Sequence, residues 1–145
     1  MRGEHLHAVY LGLGSNMGDR EQQLLTAIRL IGERVGEVTR QSSFIETESW
    51  GFQSDNRFLN AVILCLTECT PREVLRLTQK IERDMGRHKS VHVTSVHRTY
   101  QDRPIDIDIL LYDDRHIDEP DLTIPHPLMH ERDFVMKPLR EITTG

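Results

Sequence analysis

Between Arg103 and Leu111, apolar residues alternate with carboxylates before the chain continues as an unbroken apolar run. Alternation with period two predicts a β-strand. It places Asp106 and Asp108 on one face, with their Cα atoms about 7 Å apart, and the intervening isoleucines on the other face. Adjacent carboxylates repel each other unless a cation lies between them, and Mg²⁺ binds one or two carboxylates together with phosphate oxygens. From this pattern alone, a metal site and an edge strand with a solvated acidic face are both open.

Three more runs of β-favouring residues predict further strands. They cover residues 8–13, 38–47 and 58–66. The first run ends among Gly12, Gly14 and Gly18, which predicts that the strand breaks into a glycine-rich loop with a tight turn. These glycines match neither the dinucleotide-binding fingerprint nor a P-loop. In the third run, Asn60 interrupts an apolar pattern, and it needs hydrogen-bond partners if it is buried.

Helical periodicity and capping residues predict two helices. Apolar residues at helical spacing indicate a first helix over about 20–35, with Asp19 as its N-cap and Gly36 at its end. The sequence Thr-Pro-Arg-Glu, beginning at Thr70, is a capping box with proline at the first helical position. A second amphipathic helix therefore begins here and ends at Gly86.

Two polar segments are predicted to be loops. One covers residues 48–57 and carries Trp50 and Phe52, which either pack under the loop or bind a flat ligand. The other covers residues 87–103 and is rich in Arg, Lys and His, although the chain as a whole is acidic. Long loops of this kind are usually either functional lids or disordered segments. Because a metal–triphosphate needs cations as well as carboxylates, a basic lid beside the acidic strand predicts phosphate binding.

The final third of the sequence predicts short elements after the acidic strand. They are a turn at 113–114, an extended segment at 122–127, a short helix at about 126–131 and an apolar segment at 134–139. Prolines on both sides of His126 hold it in a rigid conformation. The order βαββαβ predicts an α+β fold, a ferredoxin-like sandwich with a largely antiparallel sheet and helices on one face.

Composition narrows the class of protein. The 145 residues, 37% hydrophobic and 28% charged, predict a single domain over 1–145 with a sizeable core. The net charge of −5 argues against nucleic-acid or membrane-surface partners. Cys65 and Cys69 lack zinc-ligand spacing and are predicted to be reduced packing residues of a cytoplasmic protein. No apolar run suits a membrane helix, and the first seven residues are too polar for a signal peptide.

Together these segments closely resemble the 6-hydroxymethyl-7,8-dihydropterin pyrophosphokinase family of folate biosynthesis. The resemblance runs from Gly14-Ser15-Asn16 to Pro138-Leu139, and its most specific motifs are Arg103-Pro104-Ile105-Asp106-Ile107-Asp108-Ile109-Leu110 and Pro125-His126-Pro127, followed by Arg132 and Phe134. It implies a monomeric enzyme whose partners are two small molecules, ATP and a pterin. The chain departs from the family at Gln101-Asp102, where members usually carry Gly-Pro or a similar pair, and its lid is longer than in compact members.

The resemblance also implies roles for particular residues. Two Mg²⁺ ions on Asp106 and Asp108 would bridge the triphosphate, and the hydroxymethyl oxygen would attack the β-phosphorus with AMP leaving. The implied catalytic residues are Asp106, Asp108, Arg103, Lys89 and Arg98. The implied nucleotide contacts are Gln79, Glu82, Lys89, Tyr100, Arg103, Ile109, His126 and Arg132. The implied pterin contacts are Thr47, Trp50, Phe58, Asn60 and Phe134, with the two phenylalanines stacked on the ring.

Other interpretations remain open at this point. A non-catalytic ferredoxin-like module would bind metal–ATP without transfer, but it would not need an aromatic slot beside Asn60. A metal-dependent phosphohydrolase would need a base near an activated water, and the sequence offers no convincing candidate. His126 is alternatively a structural turn residue, and the implied stacking phenylalanines are alternatively part of the core. The histidines of the basic loop fit solvated lid residues better than metal ligands, because Mg²⁺ prefers oxygen.

Overall fold

An antiparallel β-sheet forms the centre of the protein in a computed structural model that describes residues 6–47, 57–86 and 104–143. Its strands are β1 (His7–Ser15), β2 (Glu37–Gln41), β3 (Ile45–Thr47), β4 (Phe58–Thr67) and β5 (Asp106–Tyr112). The order is β2-β4-β1-β5, and β3 also pairs with β4. The long central strands β1 and β4 therefore join all the others.

The segment predicted as one strand over 38–47 is broken into β2 and β3. At the break, the Ser42 N–H donates to the Val62 carbonyl, and the Ser42 hydroxyl accepts from the Val62 N–H at 2.9 Å. The Ser42 hydroxyl thus takes the place of a backbone carbonyl as the acceptor for the Val62 N–H. Both halves still pair with β4, so the predicted strand order along the chain is preserved.

Three α-helices are described: α1 (Arg20–Arg34), α2 (Pro71–Asp84) and α3 (Asp133–Thr143). The predicted cap of α1 is confirmed, because the Asp19 carboxylate accepts from the Gln22 N–H at 3.1 Å. The predicted capping box of α2 is confirmed too, since Thr70 and Glu73 exchange both bonds. Only an apolar segment was expected where α3 forms. No helix among the described residues is long and apolar enough to span a membrane.

The sheet is covered on both faces. On one face, α1 and α2 pack against the odd-numbered residues of the central strands, and Leu24, Ile31, Val74 and Ile81 lie in this core. On the other face, α3 packs against Val62 and Leu110. The ferredoxin-like α+β core is as predicted, with α1 and α2 on one face. The placement of α3 on the opposite face corrects the expectation that helices lie on one face only.

A two-stranded hairpin that the sequence did not predict follows β5. Its strands are β6 (Ile117–Glu119) and β7 (Leu122–Ile124), and it begins after the predicted turn, where Asp113 has φ +49°. Arg72 of α2 pairs with Glu119 and, at 2.8 Å, with Asp121 of this hairpin. The hairpin is thereby joined to α2 and leads directly into His126. The helix predicted over 126–131 is only a 3₁₀ turn at Met129–Glu131.

The two cysteines lie as predicted, as free thiols at the core. Cys65 is fully buried in β4, and burial raises the pKa of its thiol to about 12. Cys69 is half-buried after the same strand. A thiol with such a raised pKa is inert, so Cys65 contributes packing.

Candidate active site

Three adjacent strands bring the acidic pair and the buried amide to one face of the sheet. Gly14 on β1 pairs with Asn60 on β4 and with Asp106 on β5. In the next row, Gly12 pairs with Val62 and Asp108. Directly opposite residues share a face, and neighbouring strands lie about 4.8 Å apart. The face therefore presents carboxylates on β5 and a carboxamide on β4, with bare glycine backbone between them.

The glycines of β1 were the clearest error of the sequence interpretation. Gly12 and Gly14 lie inside the strand, and only Gly18, with φ +67°, has the turn conformation that was predicted for the group. A Cβ on Gly14 would lie 3.2 Å from Asn60 Oδ1 and 3.4 Å from Phe58 Cδ1. Because Gly14 has no side chain, the side chains of Asn60 and Phe58, two implied pterin contacts, can pack over the backbone of β1 at this position. The sequence did contain a signal that both glycines belong to the strand and share one face, because they are two residues apart, which is the period of a strand.

The acidic strand has the alternation that was predicted. Ile107 and Ile109 are buried in the core beneath α1 and α2, while Asp106 and Asp108 are half-buried on the opposite face. β5 is an edge strand, as one of the two open interpretations supposed. Its carboxylates are partly enclosed, however, rather than fully solvated. No third His, Cys, Asp or Glu joins them as a potential ligand group in the described ranges.

Glu82 holds the backbone between the two aspartates. Its side chain is almost completely buried, and its Oε2 accepts the Ile107 N–H at 2.7 Å. Among the strands that the structure describes, β5 lies at the edge of the sheet, and a carboxylate on α2 bonds this N–H on the open side. Gln79, one turn earlier, lies instead on the exposed surface of α2, in a groove of about 410 Å³ that also contains Arg76 and Lys80.

His126 is tied to the end of the acidic strand. The backbone N–H of His126 donates to the Leu110 carbonyl at 3.0 Å, and the ring Nδ1 of His126 accepts from the Leu128 N–H at 3.2 Å. Burial, reinforced by the positive charge of Arg132, lowers the pKa of the His126 imidazole, and the charge of Asp106 acts in the opposite direction. Arg132 and Asp106 therefore both lie close enough to act on the His126 imidazole.

The lowered pKa of His126 predicts a specific pH dependence. We expect an NMR titration of its ring to give a midpoint below about 6.5. The unfolded chain then takes up a proton that the folded protein does not, so the free energy of unfolding falls as the pH drops below about 6.5. His126→Asn keeps an acceptor for Leu128 and should lose this part of the pH dependence. A midpoint at or above about 6.5 would contradict the prediction.

The implied pterin contacts of the described residues lie on one side of the sheet. Thr47 pairs with Phe58, and Ile45 pairs with Asn60. Asn60 is 5% exposed, and its Nδ2 donates to Thr47 Oγ1 at 2.8 Å and to the Ile45 carbonyl at 3.3 Å. Phe134 is half-buried on α3, with its ring centroid 5.7 Å from the guanidinium carbon of Arg132.

Several predicted site residues fall outside the described ranges. They are Trp50, Lys89, Arg98, Tyr100 and Arg103, and the departure at Gln101-Asp102 falls there too. The structure thus brings together the acidic pair, the aromatic and amide residues of β4, and the segment from His126 to Phe134.

Known proteins similar to this chain match most of its length. The family profile described as 7,8-dihydro-6-hydroxymethylpterin-pyrophosphokinase (HPPK) matches residues 10–144. A protein of Porphyromonas gingivalis named 2-amino-4-hydroxy-6-hydroxymethyldihydropteridine pyrophosphokinase is 47% identical over 135 residues, which cover 92% of this chain and 89% of the relative. An Aquifex aeolicus protein of the same name is 41% identical over 134 residues, covering 92% and 79%.

Solved structures show the same fold at low identity. An HPPK-DHPS crystallised in complex with substrates has a TM-score of 0.69 and 15% identity, covering 94% of this chain and 40% of that one. An HPPK-DHPS triple mutant of Plasmodium falciparum has a TM-score of 0.68 and 18% identity, covering 93% and 40%. The chain thus spans about 40% of the length of these larger proteins.

Proposed function

This chain belongs to the 7,8-dihydro-6-hydroxymethylpterin-pyrophosphokinase family, and we propose that it transfers pyrophosphate on the sheet face that carries Asp106 and Asp108. It is a transferase of folate biosynthesis, and ATP is one of its substrates. The observation that carries the proposed location is the shared face on which Asn60 and the carboxylates are separated only by glycines.

The acidic pair suits magnesium. Mg²⁺ prefers oxygen donors and completes its shell with water and phosphate oxygens, so two half-buried carboxylates at alternate strand positions are an appropriate protein contribution. We propose that Asp106 and Asp108 hold two ions, which when bound would neutralise charge on the triphosphate. Glu82 supports this geometry, because its bond to the Ile107 N–H fixes the backbone between the two ligands.

Phosphate oxygens and the nucleotide would be held by residues around the acidic strand. His126 with its lowered pKa is a neutral hydrogen-bonding group, and Arg132 adds a permanent charge beside it. The proposal also assigns phosphate contacts to Arg103, Lys89 and Arg98 in the basic lid. The remaining proposed nucleotide contacts are Gln79, Tyr100, Glu82 and Ile109, although the structure buries the side chains of the last two.

The pterin ring would lie on the adjacent part of the same face. Phe58 on β4 and Phe134 on α3 are the proposed stacking partners, which bind a flat ring at low entropic cost. The carboxamide of Asn60 would bond the ring edge. Thr47 and Trp50 complete the proposed set. The hydroxymethyl oxygen would then attack the β-phosphorus in line, a transfer that depends on positioning and charge neutralisation.

A product assay tests the proposal directly. The protein is incubated with ATP, Mg²⁺ and 6-hydroxymethyl-7,8-dihydropterin, and nucleotides are separated by chromatography. We expect AMP only when the pterin is present. ADP would indicate a simple kinase or a hydrolase, and no turnover would indicate a binding module without transfer.

The proposal also concerns the organisation of the protein. We propose a cytoplasmic monomer in which residues 1–145 act as a single domain, without nucleic-acid or membrane partners. Light scattering during size-exclusion chromatography tests whether the protein is a monomer, since a dimer would give a measured molar mass of about twice the chain mass of 16.9 kDa.

A further inference from the structure

Two hydrogen bonds to β3 hold the carboxamide of Asn60 in one orientation. Its two amide hydrogens serve two acceptors on β3, the Thr47 hydroxyl at 2.8 Å and the Ile45 carbonyl at 3.3 Å. Within residues 6–47, 57–86 and 104–143, its Oδ1 accepts no hydrogen bond. The group that Asn60 presents is therefore an acceptor, and a rotated amide would present donors instead.

Because Gly14 has no side chain, it leaves room for Asn60 Oδ1. A Cβ on Gly14 would lie 3.2 Å from Oδ1, which is tighter than ordinary van der Waals contact. It would also lie 3.4 Å from Phe58 Cδ1. A side chain at position 14 would therefore press on the amide oxygen while it only contacts the ring. The amide, which β3 holds from its other end, has little freedom to move away.

The position of Thr47 is itself fixed by neighbouring contacts. Thr47 pairs with Phe58 on β4, and the preceding Glu46 forms an ion pair with Arg20 at 2.6 Å. Arg20 also donates to the Arg57 carbonyl at 2.8 Å, just before β4 begins. Arg20 thus links β3 to the start of β4, next to the Thr47 hydroxyl that accepts from Asn60 Nδ2.

We propose that Thr47 and Gly14 are positioning residues that set Asn60 as a hydrogen-bond acceptor, so that this part of the site selects a ring edge carrying N–H donors. The inference rests on the proposed function, in which Asn60 contacts the pterin. The name of the substrate of the relatives places an amino group at position 2 of that ring, which is such a donor. Neither residue needs to touch the ring through its side chain to have this effect.

Thr47→Val tests the hydroxyl with little change of shape. It removes the acceptor of one Asn60 hydrogen, so only the longer bond to the Ile45 carbonyl would still hold the amide, which becomes less firmly positioned. We expect the KM for the pterin to rise about tenfold, while the KM for ATP and kcat stay within about twofold. Thr47→Ser should restore the wild-type KM. Thr39→Val, at an exposed threonine on β2, is the matched control for strand stability and should change neither KM.

Gly14→Ala tests the space from the opposite side of the amide. We expect a similar rise in the pterin KM with an unchanged KM for ATP. A merely structural role would instead lower the melting temperature in proportion to the loss of activity, without separating the two KM values. If both variants keep the wild-type pterin KM, the positioning inference is wrong.

Asn60→Ala separates this inference from the proposed function. If Asn60→Ala raises the pterin KM but Thr47→Val and Gly14→Ala do not, only the positioning inference is overturned. If Asn60→Ala leaves the pterin KM unchanged, Asn60 does not contact the ring, and the proposed pterin site fails together with the inference.

Discussion

Asp108→Ala is expected to reduce AMP formation at least about a hundredfold while leaving the fold intact. Asp108 is one of two carboxylates on the site face of β5, and its loss would halve the proposed protein ligands of Mg²⁺. The fold should persist, because β5 is anchored by Ile107 and Ile109 in the core and by the bond from the Ile107 N–H to Glu82. Activity is measured at saturating Mg²⁺ and ATP, with the melting temperature recorded in parallel.

Metal binding provides a second readout for the same variant. Mg²⁺ with a non-hydrolysable ATP analogue should raise the melting temperature of the wild type, because a ligand that binds only the folded state stabilises it. The increase should be much smaller for Asp108→Ala. Asp118→Ala, at an exposed aspartate on β6, is the matched control and should behave as the wild type does. Residual transfer within about tenfold of the wild type would contradict the two-metal assignment.

Gly36→Ala is expected to destabilise the protein by about 3 kcal/mol or more, through the close approach of two backbones. A Cβ on Gly36 would lie 2.1 Å from the Leu66 carbonyl oxygen and 2.9 Å from Thr67 Cα. These atoms belong to β4, and Glu37 pairs with Leu66 in the very next position, so the clash cannot relax without disturbing the β2–β4 pairing. Urea unfolding measures the change in the free energy of unfolding.

Gly32→Ala is the control for this substitution, because it makes the same chemical change four residues earlier. A Cβ there would meet nothing within 4 Å, and Gly32 lies inside α1. Alanine is a better helix former than glycine, so Gly32→Ala should stabilise the protein by about 0.5–1 kcal/mol. Equal effects of the two substitutions would show that close approach to β4 is not the reason for glycine at position 36.

Local signals in the sequence were sufficient for much of the fold. The starts of α1 and α2 follow from the N-caps Asp19 and Thr70, because a capping side chain bonds a backbone group only three residues away. β5 follows from alternation, since period two is a property of the strand itself. The shared face of the acidic pair was predicted from this pattern, while its role as a metal site was implied only by the basic loop and the family resemblance.

Elements that depend on a distant partner were less predictable. α3 buries Val135 and Leu139 against β4, and without knowledge of that surface its apolar residues indicated no particular structure. The break at Ser42 depends on Val62, twenty residues away. Likewise, nothing near Glu82 in the sequence indicates that its carboxylate bonds a strand edge more than twenty residues later.

The sequence by itself determined α1, α2, the acidic strand and the resemblance to a family, because each of these depends on neighbouring residues or on the order of motifs. Only the tertiary structure decided that Gly14 lies between Asn60 and Asp106. Strand register is set by packing and pairing over the whole sheet, and a shift of one residue would turn every side chain to the other face. For that reason Gly12 and Gly14, which predicted a loop, instead lie within β1 and leave the site face without side chains between Asn60 and the acidic pair.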